Sequence, residues 1–237
     1  MSEAKIKESI KYPHPESALF KGDSWIEIGR SAGGHSISAR RINGKSNKRI
    51  LLIGGVHGNE TEGVAFMVGF CNEMADVSTY DHELFLIPVA NPDGFLSYER
   101  KNSNGVDLNR NLPTKDWSPE AAEDKYHPGP AAGSEPENQA LIRVIEDYKP
   151  DYIIPFHSWK PMINVNGPAK PFAEKMQKYL KMPIVDDIGY PTPGSLGTYT
   201  GWEKNIPTIT LEFERGISLE TVYQQAKQGI ITSFDAL

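Results

Sequence analysis

Short apolar runs bounded by turn residues alternate along this chain with longer segments that have helical spacing. The apolar runs are rich in β-branched and aromatic residues and are too short for helices, which is typical of buried strands. We predict such strands at Ile50–Ile53, Glu83–Ala90, Asp151–Phe156 and Thr208–Glu214. Two earlier segments, Trp25–Gly29 and Ile37–Ile42, flank an Ala-Gly-Gly-His turn and are predicted to pair with each other as strands.

Between the strands, apolar residues recur every three or four positions, as on one face of a helix. This spacing predicts a helix over Thr61–Met74 and another over Pro171–Leu180. Ser134-x-x-Glu137 predicts a capping box that opens a helix ending at Tyr148, and Ser218 is predicted to cap a closing helix. Strands that alternate with helices indicate an α/β fold, in which a largely parallel, twisted sheet is covered by helices on both faces. We expect one domain over residues 1–237.

A segment of some forty residues, from the turn signal Asn91-Pro92-Asp93-Gly94 to Ser134, has almost no periodicity. Segments of this length inside a domain are usually functional loops or disordered. Disordered segments have few aromatic residues, whereas this one contains Phe95, Tyr98, Trp117 and Tyr126. We therefore predict an ordered loop over an active site.

His57 and Glu60 follow the first buried strand directly, after two glycines. Ligands bind at the carboxyl ends of strands in α/β sheets, and an imidazole and a carboxylate can bind one zinc ion there. His157 follows the Asp151–Phe156 strand and would be a third ligand, which leaves the fourth position of a catalytic zinc site for water. Considered alone, His157 is more often a core histidine held by a hydrogen bond.

The last predicted strand carries two acids, Glu212 and Glu214, on the same face. A carboxylate inside an apolar strand is costly to bury without a function or a partner. Glu212 would be free to act as general base on a zinc-bound water, but periodicity alone does not choose between the two acids.

The long loop supplies polar groups for the same site. Arg100, Asn109 and Arg110 offer donors suited to a carboxylate, although any one arginine alone is most often an ordinary surface charge. Asp107 is a candidate to accept a hydrogen bond from the second nitrogen of a metal-bound histidine, which would fix its tautomer.

Composition excludes several classes of function. The 237 residues carry a net charge of -6, which argues against a nucleic-acid backbone or an anionic membrane as the main partner. Cys71 is the single cysteine, so no internal disulfide forms and the reducing cytosol is favoured. The charged N-terminal stretch has no apolar signal region, and residues 1–22 are expected on the surface. We expect a cytoplasmic enzyme.

Six motifs occur in a characteristic order: GGVHGNETEG, NPDG, GVDLNRN, SEPE, HSW and ITLEFE. This set resembles the zinc metallocarboxypeptidases of the carboxypeptidase A type, over roughly residues 48–215. The resemblance implies a mixed eight-stranded sheet between helices, and a single zinc ion bound by His57, Glu60 and His157. It also implies that Glu212 is the water-activating base.

The same resemblance implies the substrate contacts. Arg100 matches the arginine that polarises the scissile carbonyl, and Asp107 matches the partner of the first histidine ligand. Asn109 and Arg110 match the clamp for the substrate's terminal carboxylate. Tyr190 matches the mobile tyrosine that closes over it. One departure from the family pattern is the pair Glu214 and Arg215 after the catalytic glutamate.

The stretch YPTPGSLGTY and the Trp117–Pro130 loop resemble family members that act in bacterial cell-wall peptide recycling. This implies a small peptide substrate, murein tripeptide, cleaved at its γ-D-glutamyl–meso-diaminopimelate amide. The alternatives are an ordinary carboxypeptidase that removes C-terminal residues, and a deacylase of the aspartoacylase or succinylglutamate desuccinylase type. A non-catalytic binding module is disfavoured because the metal ligands and Glu212 are all present.

Overall fold

A mixed β-sheet runs through the molecule in the computed structural model, which describes residues 25–74, 77 and 79–234. Its strands are β1 (Trp25–Arg30), β2 (Ser36–Gly44), β3 (Arg49–Ile53), β4 (Thr79–Tyr80), β5 (Glu83–Ile87), β6 (Tyr152–Trp159), β7 (Met162–Asn166), β8 (Ile184–Val185) and β9 (Thr208–Glu214). The expectations for residues 1–22 lie outside the described residues. That the chain forms one domain over 1–237 stays a prediction.

The strand order in the sheet is β1-β2-β5-β3-β6-β9-β7-β8, and the two-residue strand β4 pairs with β2. Strands β5, β3, β6 and β9 are parallel neighbours, while β1, β2 and β7 join them in antiparallel pairs. The fold class expected from the alternation of strands and helices is therefore confirmed.

The helices are α1 (Thr61–Glu73), α2 (Pro92–Ser97), α3 (Pro136–Tyr148), α4 (Lys170–Leu180) and α5 (Leu219–Phe234). Two short 3₁₀ turns, Leu108–Arg110 and Asp124–Tyr126, and a π-helical segment, Thr198–Glu203, lie in the connections. Within the described part of the chain, no helix is both long and apolar enough to cross a membrane.

Each central strand contributes side chains to both faces of the sheet, because successive residues of a strand point in opposite directions. On β3, Ile50 and Leu52 pack into a core with α1, α4 and α5. Leu51 and Ile53 pack on the opposite face with α3 and with the long loop. Both faces are thus buried, as the continuous apolar runs predicted.

Three parallel neighbours, β3, β6 and β9, bring the predicted site together at one edge of the sheet. His57 and Glu60 follow β3 directly. His157 on β6 is in register with Glu212 on β9. The site is therefore a consequence of strand order, because these residues are far apart in sequence.

Several local predictions were wrong. Strand β6 continues through Trp159, so His157 lies inside the strand rather than after it. Asn91 does not open a simple turn but caps α2, since its side chain accepts from the Gly94 N–H at 2.9 Å. The capping box is absent at α3, where Glu135 is the N-cap residue without a side-chain cap. Ser218 does cap α5, accepting from the Thr221 N–H at 3.1 Å.

The turn after His57 requires glycine because two backbone segments meet there. A Cβ atom on Gly58 would lie 1.8 Å from the carbonyl carbon of Gly94 and 2.1 Å from the Phe95 nitrogen. Backbone atoms of α2 cannot yield as a flexible side chain would. Gly58 therefore permits α2 to pack against the loop that carries His57 and Glu60.

We expect Gly58→Ala to destabilise the protein by about 3 kcal/mol, the upper range for overpacking. In a chain of this size that lowers Tm by roughly 6–12 °C, measured by calorimetry. Gly105→Ala is the control, because Gly105 has φ +71° but no atom within 4 Å of the position that a Cβ would take. The control should lose only about 1–2 kcal/mol through left-handed backbone strain. Equal losses in the two variants would contradict the steric argument.

Candidate metal centre and active site

Three buried side chains, His57, Glu60 and His157, converge at the carboxyl ends of β3 and β6. His57 Nδ1 lies 2.9 Å from Glu60 Oε1, and His157 Nδ1 lies 2.8 Å from Glu60 Oε2. The two Nδ1 atoms are 3.1 Å apart. The three predicted ligands thus present two imidazole nitrogens and a carboxylate to one point.

Asp107 sets the orientation of the first histidine. Its Oδ1 lies 2.9 Å from His57 Nε2, so that nitrogen donates and Nδ1 directs its lone pair toward Glu60 and His157. Asp107 is fully buried. Although burial opposes its charged form, the adjacent His57 and Arg100 hold the pKa of Asp107 well below its usual range.

The donor set fits zinc. Two nitrogen lone pairs and a carboxylate face one another, and such acceptors are stabilised by a cation between them. Although burial opposes its ionisation, the neighbouring His57 and His157 hold the pKa of Glu60 well below its usual range, so the carboxylate is charged. Two histidines and one carboxylate are a known ligand set of catalytic zinc sites.

Glu212 is placed beside this centre. Its side chain lines the cavity, and its Oε2 is buried without a hydrogen-bond partner among the described residues. Burial raises the pKa of Glu212 to about 7, against the opposing effect of His157. Glu214 is exposed and lies outside the cavity lining, so tertiary structure separates the two acids that periodicity could not.

A cavity of about 500 Å³ opens above the metal ligands and Glu212. Four cationic side chains line it, whereas its only carboxylates among the described residues are those of Glu60 and Glu212. The cations are Arg100, Arg110, Lys125 and Arg215. This balance suits an anionic ligand.

Arg100 is held between the metal centre and Asp107. Its Nε donates to Asp107 Oδ2 at 2.9 Å and its Nη1 lies 3.3 Å from Glu60 Oε1. The guanidinium is therefore fixed at the wall of the cavity, close to the position where a reacting carbonyl would meet the metal ligands.

Asn109 and Arg110 lie in the 3₁₀ turn Leu108–Arg110. Asp107 caps this turn, because its side chain accepts a hydrogen bond from the Asn109 N–H. Asn109 Oδ1 accepts from the Leu196 N–H at 2.8 Å, which orients the amide nitrogen as a donor. The Arg110 guanidinium carbon lies 4.9 Å from the centre of the Tyr126 ring. Arg110 is only 4% exposed, and no carboxylate among residues 25–74 and 79–234 pairs with it.

Tyr190 stands at the mouth of the cavity and is 37% exposed. Its ring centre lies 6.0 Å from that of Trp159 and 6.1 Å from that of Tyr126. Among the described residues, no hydrogen bond is found for its hydroxyl group, which is thus available to a ligand.

Sequence reasoning missed two residues of this region. Tyr126 contacts both Arg100 and Arg110 through its ring, and its only signal was its place among the aromatic residues of the loop. Buried Glu62 accepts from the Ser158 hydroxyl at 2.5 Å and from the Gly216 N–H at 2.7 Å. It thereby joins the end of β6 to the turn after β9.

Comparison with known proteins decides the family. A family model described as zinc carboxypeptidase matches residues 24–224. The chain belongs to the zinc carboxypeptidase family. It is therefore a zinc-dependent hydrolase of the metallopeptidase type, and the resemblance noted in its sequence is confirmed.

Individual relatives of this zinc carboxypeptidase are more specific. Murein peptide amidase A from Vibrio campbellii is 35% identical, with 71% of this chain and 70% of that protein covered. The protein of the same name from Escherichia coli strain K12 is 32% identical, with 69% and 70% covered. The crystal structure of a murein-tripeptide amidase from Escherichia coli O157 has a TM-score of 0.77 at 27% identity, covering 93% of this chain and 95% of that one.

We expect about one zinc ion per chain in the wild-type protein, held by the three converging side chains. His157→Ala should lose most of it, because a nitrogen ligand is removed. Asp107→Asn should bind zinc about 10- to 100-fold more weakly, as is typical when the partner of a histidine ligand is changed. Elemental analysis and zinc titration measure both effects.

The matched control is His127→Ala, which removes an exposed imidazole on the same long loop and should leave the zinc content unchanged. Undiminished zinc in His157→Ala would exclude His157 as a ligand.

Proposed function

We propose that this protein hydrolyses the γ-D-glutamyl–meso-diaminopimelate amide of murein tripeptide in cell-wall peptide recycling. The two murein peptide amidases, matched over about seven tenths of their length, support this substrate. The likeness in fold to the murein-tripeptide amidase structure supports it as well. The predicted cytoplasmic location stays a prediction.

The observation that carries the proposal is the buried, unpaired Arg110. A guanidinium taken out of water is costly unless an anion balances it. Asp107 lies near enough to interact with this charge, but no acid among the described residues forms an ion pair with Arg110, which leaves that contact to a ligand. Diaminopimelate presents a free α-carboxylate directly beside the scissile amide, where Arg110 and Asn109 offer a planar fork and an amide donor.

The chemistry then follows from the arrangement of side chains. When bound, zinc acts as a Lewis acid that polarises the scissile carbonyl and lowers the pKa of the attacking water. Glu212 takes a proton from that water as the new C–O bond forms. It then delivers the proton to the leaving amine nitrogen as the C–N bond breaks, so one water is consumed for each amide cleaved.

The remaining residues position the substrate and stabilise charge. Arg100, fixed by Asp107, faces the oxygen on which negative charge develops and stabilises it without reorganisation. Tyr190 lies at the mouth of the cavity, where its ring can cover the bound diaminopimelate and exclude water.

The substrate is tested by mass spectrometry of products from murein tripeptide beside a panel of ordinary C-terminal peptides. We expect free diaminopimelate and L-alanyl-D-glutamate from the tripeptide, and little release from the panel. Faster release of ordinary C-terminal residues would favour the carboxypeptidase alternative, and cleavage of N-acyl amino acids alone would favour a deacylase.

The carboxylate contact is tested by Arg110→Ala on the same tripeptide. An arginine–carboxylate pair in a partly dry pocket is worth about 2–4 kcal/mol, hence roughly a 30- to 1,000-fold loss of kcat/KM. Wild type should lose as much on a substrate whose adjacent diaminopimelate carboxylate is amidated. Combining both changes should cost little more than either, and fully additive losses would show that the two groups do not meet.

Glu212→Gln should keep the zinc and the fold but lose about 10³-fold in kcat, since the general base is removed. Glu214→Gln is the matched control on the same strand, and its exposed position predicts a small effect. Stopped assays give kcat, while circular dichroism and zinc analysis check the fold and the metal. A reversed order of the two losses would assign the base to Glu214 instead.

A further inference from the structure

Of the four cations that line the cavity, three have a defined partner or role. Arg100 is paired with Asp107 and Glu60, and Lys125 lies 3.1 Å from Glu123. Arg110 is assigned above to the carboxylate of the leaving group. Arg215 remains, and no carboxylate in the described ranges of the chain forms an ion pair with it.

The position of Arg215 is fixed by the sheet. It follows the last residue of β9, and its N–H donates to the Trp159 carbonyl at 3.1 Å, which holds the turn against the end of β6. Its side chain and that of Glu212 line the same cavity. Arg215 is thus an exposed cation at the edge of the cavity on a pinned backbone.

The residues in and after strand β9 distinguish the two ends of the cavity. Thr210 and Glu212 follow one another along it, Arg215 comes directly after its last residue, and all three line the cavity. Thr210 is in register with Asn164 of β7, and the next cavity-lining residue of β7, Asn166, contacts Gly197. The Thr210 end of the cavity is therefore the end closed by residues 194–197.

Arg110 belongs to that same end. Its neighbour Asn109 accepts from the Leu196 N–H, and Gly194 packs against the Arg110 carbonyl group. Glu212 marks the position of the scissile bond. Arg110 then lies on the leaving-group side of that bond, and Arg215 lies beyond Glu212 in the opposite direction, on the acyl side.

We propose that Arg215 binds a carboxylate on the acyl side of the scissile bond, so that the site selects γ-linked glutamyl amides over ordinary α-linked peptides. This inference rests on the proposed function. A γ-glutamyl donor carries its free α-carboxylate four carbon–carbon bonds from the scissile carbonyl, about 5 Å when extended. An ordinary α-linked peptide carries a carboxylate at that distance only when its acyl residue is glutamate.

The geometry accommodates this spacing. Glu212 and Arg215 are three residue steps apart at the end of β9, about 10 Å between their Cα atoms for extended chain, and a long arginine side chain covers the remaining gap. Two arginines on opposite sides of Glu212 would then each pair with one carboxylate. The requirement for both carboxylates distinguishes a γ-D-glutamyl–diaminopimelate amide from a peptide that has only a C-terminal carboxylate.

The test compares murein tripeptide with the same peptide amidated at the α-carboxylate of its D-glutamyl residue. Wild type should lose about 5- to 30-fold in kcat/KM on the amidated peptide, mainly through KM, as a partly solvated charge pair predicts. Arg215→Ala should lose the same factor on the unmodified peptide and should not distinguish the two peptides. Arg215→Lys should recover part of the discrimination, because it restores the charge without the planar fork.

Arg30→Ala, which removes an exposed arginine of β1 outside the cavity, is the control and should behave like wild type. Because the Arg215 side chain is exposed, its replacement should leave Tm and zinc content unchanged, and both are measured. The pH profile of kcat is measured for each variant.

The possible outcomes distinguish failure of the proposed function from failure of this inference. If wild type fails to cleave murein tripeptide at all, the proposed function is wrong. If wild type cleaves both peptides equally well, the proposed function stands and this inference is overturned. Discrimination that persists in Arg215→Ala would assign the carboxylate to another residue. If Arg215→Ala loses the same factor in kcat/KM, relative to wild type, on both peptides and its pH profile of kcat is shifted, Arg215 acts only on Glu212. That result also overturns the inference.

Discussion

The active site depends on one buried carboxylate, that of Asp107. It accepts from His57 Nε2, from the Arg100 guanidinium and from the Asn109 N–H. A fully buried acid is tolerated only when its charge and lone pairs are satisfied, and here three donors from two loops satisfy them. The orientation of a candidate metal ligand, the position of the Arg100 guanidinium and the start of the turn that carries Arg110 are therefore coupled through a single side chain.

The regular part of the fold could be predicted from hydrophobic spacing. Strand β9 has the predicted bounds, and helix α3 ends at the predicted Tyr148. The failures lie beside the site. Strand β7 was missed because Asn164 and Asn166 replace apolar residues on its cavity face. Strand β6 continues through a histidine because His157 pairs in register with Glu212, a contact that local periodicity does not contain.

The candidate site was predictable to the extent that its chemistry is local. His57 and Glu60 are three residues apart and follow a predicted strand, so their spacing together with that position suggested a metal. Glu62 was invisible to that reasoning, because its partners Ser158 and Gly216 are 96 and 154 residues away. An acid in the first turn of a helix is normally explained by the helix dipole. The choice of Glu212 over Glu214 came from the family resemblance and not from periodicity, and the exposed position of Glu214 agrees with it.

The distribution of charge explains how an acidic protein binds an anionic substrate. The chain has a net charge of -6, yet four cations line its cavity. Exposed charges more than about 8–10 Å apart are largely screened at physiological salt, so the overall charge does not govern what happens inside the cavity. Arg110 is dehydrated and rests against the Tyr126 ring, which makes its attraction for a carboxylate local and strong. In the proposed function, selectivity therefore arises from where Arg110 and Arg215 stand relative to Glu212, because each of them would pair with one carboxylate of the substrate.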